Sequence, residues 1–311
     1  MCPVTHQPVL LREVIEALAP APDAVIVDAT VGLGGHARAL LEEQPSLRLI
    51  GLDVDAEALA EATKTLAPFG MRVVLLEASY SGLEESLRSL GVEHVSGVLF
   101  DLGVSSLQLD DARRGFSFRR DGPLDMRFAS SGPTAADLLA TANEEELERI
   151  VRSYGEEPRA RRVARAIVRA RERAPLRTTD ELHRIVLAAL GRAGGRIDPA
   201  TRTFQALRIA VNRELEGIAP SLEQATRVLS PGGRLAVIAF HSLEDRLVKR
   251  SMRRLAGRCV CPPGSFACTC NPERLLDLLT ARPLRPDAEE IARNPRARSA
   301  RLRVAARRPA S

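Results

Sequence analysis

Four acids in the first third of the chain stand where apolar runs stop. Asp28 closes AVIVD, Asp53 and Asp55 close LRLIGLDVD, and Asp101 closes VSGVLFD. A glycine-rich turn follows the first of them: in DATVGLGGHA, Gly32, Gly34 and Ala37 fit a G-x-G-x-x-[GA] pattern, whose small residues let a backbone approach a ligand closely. An acid at the tip of the next strand, Asp53, suits the hydroxyls of a ribose. Together these features point to a nucleoside-containing ligand, and its charge is decided by the acids. Carboxylates gathered at one crevice repel a pyrophosphate, and no lysine lies near to offset them. The same crevice attracts a ligand with a sulfonium and an ammonium, as in S-adenosylmethionine. At ~4 Å and an effective dielectric near 20, each opposite-charge contact is worth up to about 4 kcal/mol before desolvation. The alternative role for each acid is an N-cap on the helix that follows it.

Asp101 leads into the turn DLGVSS and then Gln108. A methyl acceptor must present its lone pair in line with the sulfonium carbon. An exocyclic base amine is a poor nucleophile because its lone pair is delocalised into the ring. A carboxylate accepting its N–H localises that pair and removes developing positive charge. Methylation of a pyrimidine carbon instead uses a cysteine nucleophile, and no cysteine falls near these strand ends. A nitrogen or oxygen acceptor follows.

Alternation of the apolar runs with helical segments (GGHARALLEEQ, AEALAEATKTLA, SGLEESLRSLG) predicts a parallel sheet of right-handed βαβ units. After residue 110 the pattern becomes loop-like and then all-helical to about residue 200. A helix at about 203–229 leads to strand GGRLAVIAF, and RLRVAAR adds a final strand. The expected organisation is a discontinuous α/β core, residues 1–109 and 201–311, with a helical insertion at 110–200.

The 311 residues carry a net charge of +5, from 43 arginines and 2 lysines against 40 acids. Arginine in such excess marks a GC-rich genome first, and an anionic partner such as nucleic acid second. No apolar run is long enough to span a bilayer, and the first residues lack a secretory leader, which predicts a cytoplasmic protein with no membrane partner.

The segments HQPVLLREV, DATVGLGGHA, FDLGVSSLQLDDARRGFSFRRDGPLDMRF, TRTFQALRIAVNREL, PGGRLAVIAFHSLEDRLVKR and NPRARSARLRVAAR closely resemble the bacterial RsmH (MraW) methyltransferases, in order and over nearly the whole chain. The resemblance implies a class I, Rossmann-like methyltransferase core with an inserted all-helical domain for RNA recognition. It implies S-adenosylmethionine as donor and, as acceptor, N4 of a decoding-centre cytosine (cytosine 1402) of 16S rRNA in the small ribosomal subunit. Donor contacts carried over by position fall on Gly34, Gly35, His36, Asp53, Tyr80, Asp101 and Gln108. Asp101 is also the expected catalytic residue. Tyr80 stands where many members have Phe, and its ring can equally pack on adenine. A non-catalytic RNA-binding or assembly factor on this fold is the alternative, and a dinucleotide oxidoreductase, disfavoured by the acids, a third.

Three residues are candidates for substrate contact. Phe118 and Arg127, with Phe116, Arg119 and Arg120, lie in GFSFRRDGPLDMRF, where rings beside arginines suit a flipped base and its phosphates. A loop clamped by its own apolar anchors is the competing reading. His241 follows a strand, so it either touches the base or caps a loop. PRARRVARAIVRARER, residues 158–173, holds seven arginines around a stripe of Val163, Ile167 and Ala170, a pattern that suits an RNA backbone contact. Finally, Cys259, Cys261, Cys268 and Cys270 form C-x-C-x6-C-x-C. Structural zinc is one reading. Because the spacing is tighter than that of C-x-x-C knuckles, unbound thiols in a surface loop are preferred, with no catalytic metal.

Overall fold

The computed structural model describes residues 8–191 and 198–309; Cys2, and His6 and Gln7 of the first motif, lie outside them. The chain divides into two compact units, residues 1–103 with 215–311, and residues 104–214.

The first unit is a seven-stranded sheet in the order β3-β2-β1-β4-β5-β7-β6. Its strands are β1 (Val25–Asp28), β2 (Arg48–Asp53), β3 (Val73–Glu77), β4 (Val95–Asp101), β5 (Leu229–Ala239), β6 (Leu276–Leu278) and β7 (Arg301–Arg307). All pairings from β3 to β5 are parallel, and β7 runs antiparallel to both β5 and β6. Central strands are buried on both faces, which is why they read as unbroken apolar runs. Alternate residues of each strand go to opposite faces. Val27, Leu52, Phe100 and Val237 pack with Leu83 and Leu87 of α4 (Leu83–Ser89), Leu222 of α11 (Glu214–Val228) and Met252 of α12 (Ser242–Leu255). Ile26, Leu49, Leu99 and Ile238 pack with Val14 of α1 (Leu11–Leu18), Leu40 of α2 (Gly35–Glu43) and Ala62 of α3 (Ala56–Leu66). This is the doubly wound, mostly parallel, Rossmann-like α/β class that the sequence predicts.

Strand order reverses between β1 and β4, so the crevice at their carboxyl ends is the topological switch point where such sheets hold ligands. Asp28 and Asp101 are the last residues of those two strands.

Helices α5 (Ser106–Asp110), α6 (Ala135–Thr141), α7 (Glu144–Gly155), α8 (Ala160–Arg171), α9 (Thr179–Leu190) and α10 (Ala200–Asn212) build the second unit. Leu147, Val151, Val163, Ile167, Phe204 and Leu207 share its core, against which Val104 and Leu109 also pack. That packing moves the unit's limits to 104 and 214, outside the expected 110 and 200. The helix expected at about 203–229 is two helices, α10 and α11. They are broken at Arg213, whose φ of 51° is left-handed and whose neighbours give no glycine or proline signal for it. Strand β6, only three residues long, went unrecognised in the sequence. Among the described residues, no helix is long and apolar enough to cross a membrane.

Asp245 in α12 fastens that helix to β7. Its carboxylate accepts from Arg303 Nε at 2.7 Å and from an Arg301 Nη at 2.8 Å, and Asp245 and Arg303 are both buried. Burial alone pushes such a carboxyl up, but the hydrogen bonds from Arg303 and then Arg301 outweigh it and hold Asp245 below its ordinary value. The stability from this network is therefore present above the unfolded carboxyl pKa and lost as pH falls through the lower folded value. Asp245→Ala leaves Arg303 buried without its counter-charge. A loss of about 3–5 kcal/mol is expected in denaturant unfolding at neutral pH, shrinking in acid.

Candidate active site

The carboxyl rim of the sheet in the first unit is built from four chain segments. After β1 the chain turns through Thr30, Gly32 and Gly34 into α2. Gly34 caps α2 at φ 81°, a left-handed conformation that a side chain strains. Gly35 is fixed by space, since a Cβ there would stand 2.6 Å from Pro8 Cγ. Asp53, at the end of β2, accepts from Gly32 N–H at 2.8 Å through one oxygen and from Asp55 N–H at 3.0 Å through the other. The acid thus ties the glycine turn to the β2 tip. Asp55 is an N-cap, accepting from Glu57 N–H at 3.1 Å, and is not a rim acid of the ligand-facing kind.

Asp28 is fully buried, and its Oδ1 accepts from Thr30 N–H at 3.2 Å. Burial pushes its carboxyl up to about 7, against the opposing influence of His36. Asp101, a quarter exposed, behaves alike: burial, then the nearby charge of Glu244, pushes it up to about 7. Its backbone N–H donates to Thr30 Oγ1 at 2.6 Å, which joins the ends of the two switch strands. Its Oδ1 is buried with no hydrogen-bond partner. Burial also raises Asp53.

His36, in the first turn of α2, places Nε2 2.9 Å from the Val9 carbonyl and Nδ1 3.6 Å from Asp101 Oδ2. A carbonyl only accepts, so Nε2 carries the proton, and burial lowers the ring pKa, keeping it neutral. No lysine or arginine pairs with Asp28, Asp53 or Asp101 among the described residues. Asp28, Asp53 and Asp101 are desolvated carboxyls at this rim, and the neutral imidazole of His36 stands beside Asp101. The buried Asp101 Oδ1 is an acceptor without a donor among the described residues. Tyr80 follows β3 and meets Phe100 edge-on at 6.0 Å.

The model of the MraW methylase family matches residues 3–308. The chain belongs to the MraW methylase family. Curated relatives agree with that assignment. The ribosomal RNA small subunit methyltransferase H of Thermomicrobium roseum is 51% identical, over 97% of this chain and 94% of that one. The same-named protein of Syntrophotalea carbinolica is 52% identical over 96% of each, and that of Solidesulfovibrio magneticus 50% identical over 98% of this chain and 96% of its own.

In this MraW-family chain the rim gathers Gly34, Gly35, His36, Asp53 and Asp101, while Gln108, Phe118 and Arg127 belong to the helical unit. Gln108 is buried in a capping box at the start of α5: its Oε1 accepts from Ser105 N–H at 3.0 Å, and Ser105 Oγ accepts from Gln108 N–H at 3.3 Å. Phe118 packs against rings of its own unit. It lies parallel to His183 at 4.7 Å and edge-on to Phe204 at 5.0 Å, while Phe116 stacks on Phe128 at 5.4 Å. These rings anchor the loop. Arg127 is likewise committed, with a two-bond fork to Asp125, both bonds 2.8 Å, and further bonds to the Ser130 and Gly132 carbonyls. His241 is the N-cap of α12. Its Nδ1 accepts from Glu244 N–H at 3.4 Å and its Nε2 lies 3.1 Å from Glu244 Oε1, so both nitrogens face their own helix.

Sequence reasoning passed over Thr30, Val9 and Gly217. Thr30 and Val9 hold Asp101 and His36 through groups that carry no distinctive pattern. Gly217 lies against Tyr80: a Cβ there would come within 3.0 Å of the ring and 2.6 Å of Ser81 Oγ.

A carboxyl whose folded pKa is raised binds more protons in the folded state between its unfolded and folded values, so its contribution to stability falls as pH rises through that window. Asp101→Asn removes that charge. The variant is expected to be more stable than the unmodified protein at pH 8, by at least about 1 kcal/mol in unfolding experiments, with the difference vanishing below about pH 4. Equal stability at pH 8 would place the Asp101 charge in a solvated site.

Proposed function

We propose that this chain methylates N4 of a cytosine in 16S rRNA, cytosine 1402 of the decoding centre, with S-adenosylmethionine as donor. The reading rests above all on the uncompensated carboxyls at the β1/β4 switch point, supported by the names of relatives about half identical over nearly the full chain. Rim chemistry fits the donor: it bears two positive centres and a ribose, and the rim offers acids and a glycine turn, with no lysine or arginine paired to those acids among the described residues. Gly34, Gly35 and His36 on the turn, Asp53 for the ribose, Tyr80 for the adenine and Asp101 at the reacting end are the residues of the first unit that would hold it. The bound donor supplies an electrophilic methyl group on a sulfonium sulfur.

Asp101 has the properties the acceptor requires. Its free Oδ1 accepts an amine N–H, which localises the nitrogen lone pair as it attacks. A carboxyl titrating near 7 takes up that proton more readily than an ordinary aspartate, and His36 Nδ1 beside Oδ2 is a second neutral acceptor. His36 is the positioning residue, oriented by Val9. A third reading, a dinucleotide oxidoreductase, conflicts with desolvated acids where a pyrophosphate would sit.

The helical unit contributes the RNA contact in this reading. Arg161, Arg162, Arg165 and Arg169 of α8 line a groove of about 930 Å³ with Ile185 and Ala189 of α9. Val163, Ala164 and Ile167 turn inward from the same helix. Arg161, Arg162 and Arg169 carry no ion pair among the described residues, whereas Arg165 lies 3.5 Å from Glu144. Unpaired guanidinium groups along one groove suit a phosphate backbone.

Transfer of radiolabelled methyl to small subunits lacking the modification, with mapping of the labelled nucleotide, tests the activity. Label at N4 of that cytosine is expected, and Asp101→Ala should reduce the rate by at least about 100-fold. Full transfer by that variant would remove Asp101 from the chemistry, and no transfer by the unmodified protein would favour the non-catalytic assembly factor. Replacing Arg161, Arg162 and Arg165 together with Glu should weaken subunit binding by about ten-fold or more and flatten its salt dependence, with donor affinity unchanged. Unaltered subunit binding would make α8 a plain solvated face.

A further inference from the structure

Between α12 and β6 the chain of the first unit runs out as the loop 258–272 and returns beside its starting point. Its base is closed by backbone pairing: Gly257 N–H donates to Glu273 O at 2.8 Å, Glu273 N–H to Arg254 O at 3.0 Å and Leu275 N–H to Leu255 O at 2.7 Å. Beyond that base the loop has no core of its own. No residue from Ala256 to Leu275 is buried, and Phe266 at the tip is fully exposed. A turn at the tip, with Ser265 N–H and Oγ both donating to Pro262 O, reverses the chain.

The two C-x-C arms on either side of that turn are paired through sulfur. Val260, between Cys259 and Cys261, donates its N–H to Cys270 Sγ at 3.3 Å. Thr269, between Cys268 and Cys270, donates its own to Cys261 Sγ at 3.3 Å. Each arm thus uses the residue between its two cysteines to hold a sulfur of the other. The four Sγ atoms all lie within 4.8 Å of one another, with Cys268 and Cys270 at 3.4 Å and Cys259 and Cys270 at 3.8 Å. A tetrahedral metal with bonds of about 2.3 Å to sulfur requires sulfur–sulfur edges of about 3.8 Å. The spacing that looked too tight for a knuckle is closed by pairing the arms across the turn.

We propose that Cys259, Cys261, Cys268 and Cys270 bind one Zn²⁺ as a tetrathiolate that fixes the loop 258–272. Four sulfur ligands and no oxygen or imidazole select a borderline-soft metal with no geometric demand beyond the tetrahedron. Four thiols give up their protons to solvent as four metal–sulfur bonds form, and no oxidant or reductant takes part. N–H donation from Val260 and Thr269 offsets thiolate charge. In a loop that buries nothing, the metal supplies the cross-links a hydrophobic core would otherwise provide. This replaces the expectation of unbound thiols, and it is independent of the methyl-transfer reading.

The full chain, purified under reducing conditions without chelator, should carry about one zinc per chain by mass-spectrometric metal analysis. Its four loop thiols should resist alkylation until a chelator is added, and replacing the zinc with Co²⁺ should give the intense visible absorption of a tetrahedral thiolate site. Cys261→Ser and Cys268→Ser should each lower zinc affinity by at least about ten-fold while leaving the circular dichroism of the sheet unchanged. If either variant fails to fold, thiol protection in the unmodified chain decides the matter. Four thiols that alkylate at the same rate with and without excess zinc would overturn the proposal, as would two loop disulfides in fresh protein that takes up no metal once reduced.

Discussion

The desolvation of Asp28, Asp53 and Asp101 at one end of the sheet is the constraint on which the rest of the site depends. A carboxyl taken out of water without a cation moves toward its neutral form, and two of these three titrate near 7. Backbone hydrogen bonds and His36 only partly offset that burial, and no lysine or arginine pairs with the three acids among the described residues. The surroundings keep the arrangement from relaxing. Asp53 is held by two backbone N–H groups, Thr30 joins the ends of β1 and β4, and Gly35 admits Pro8 so that Val9 can hold His36. Acids kept in this way without a lysine or arginine partner among the described residues suit a positively charged ligand.

Much of this was legible in the chain because the relevant signals are local. Parallel strands buried on both faces give unbroken apolar runs, and an acid ending such a run marks a carboxyl end whatever happens downstream. The direction in which a polar side chain turns is not local. Asp55 and His241 look in the sequence like rim residues, yet each bonds the N–H groups of the helix it precedes, and only packing decides between cap and ligand. The stacking of Phe118 on His183, 65 positions away in the chain, is likewise invisible in the sequence. The break at Arg213 and the short strand β6 left no trace because neither involves glycine, proline or a sustained period.

Arginine and cysteine serve different ends in the two units. In the helical unit the apolar stripe of α8 packs inward and leaves Arg161, Arg162 and Arg169 along a groove without an ion pair among the described residues. In the first unit a loop too small to bury anything brings four sulfurs together instead. The acids at the rim and the arginines of α8 have opposite sign, which suits a cationic donor and a polyanionic acceptor held by separate surfaces.

The central claim is that the rim acids ionise to receive a positively charged donor, and the most direct test is the proton balance of that binding. Calorimetry of S-adenosylmethionine binding in buffers of different ionisation enthalpy, between about pH 6 and about pH 8, measures it. Protons released on binding near pH 6, with affinity rising toward pH 8 and levelling above it, is the predicted result. Affinity independent of pH with no proton release, or tighter binding of a dinucleotide than of S-adenosylmethionine, would contradict it.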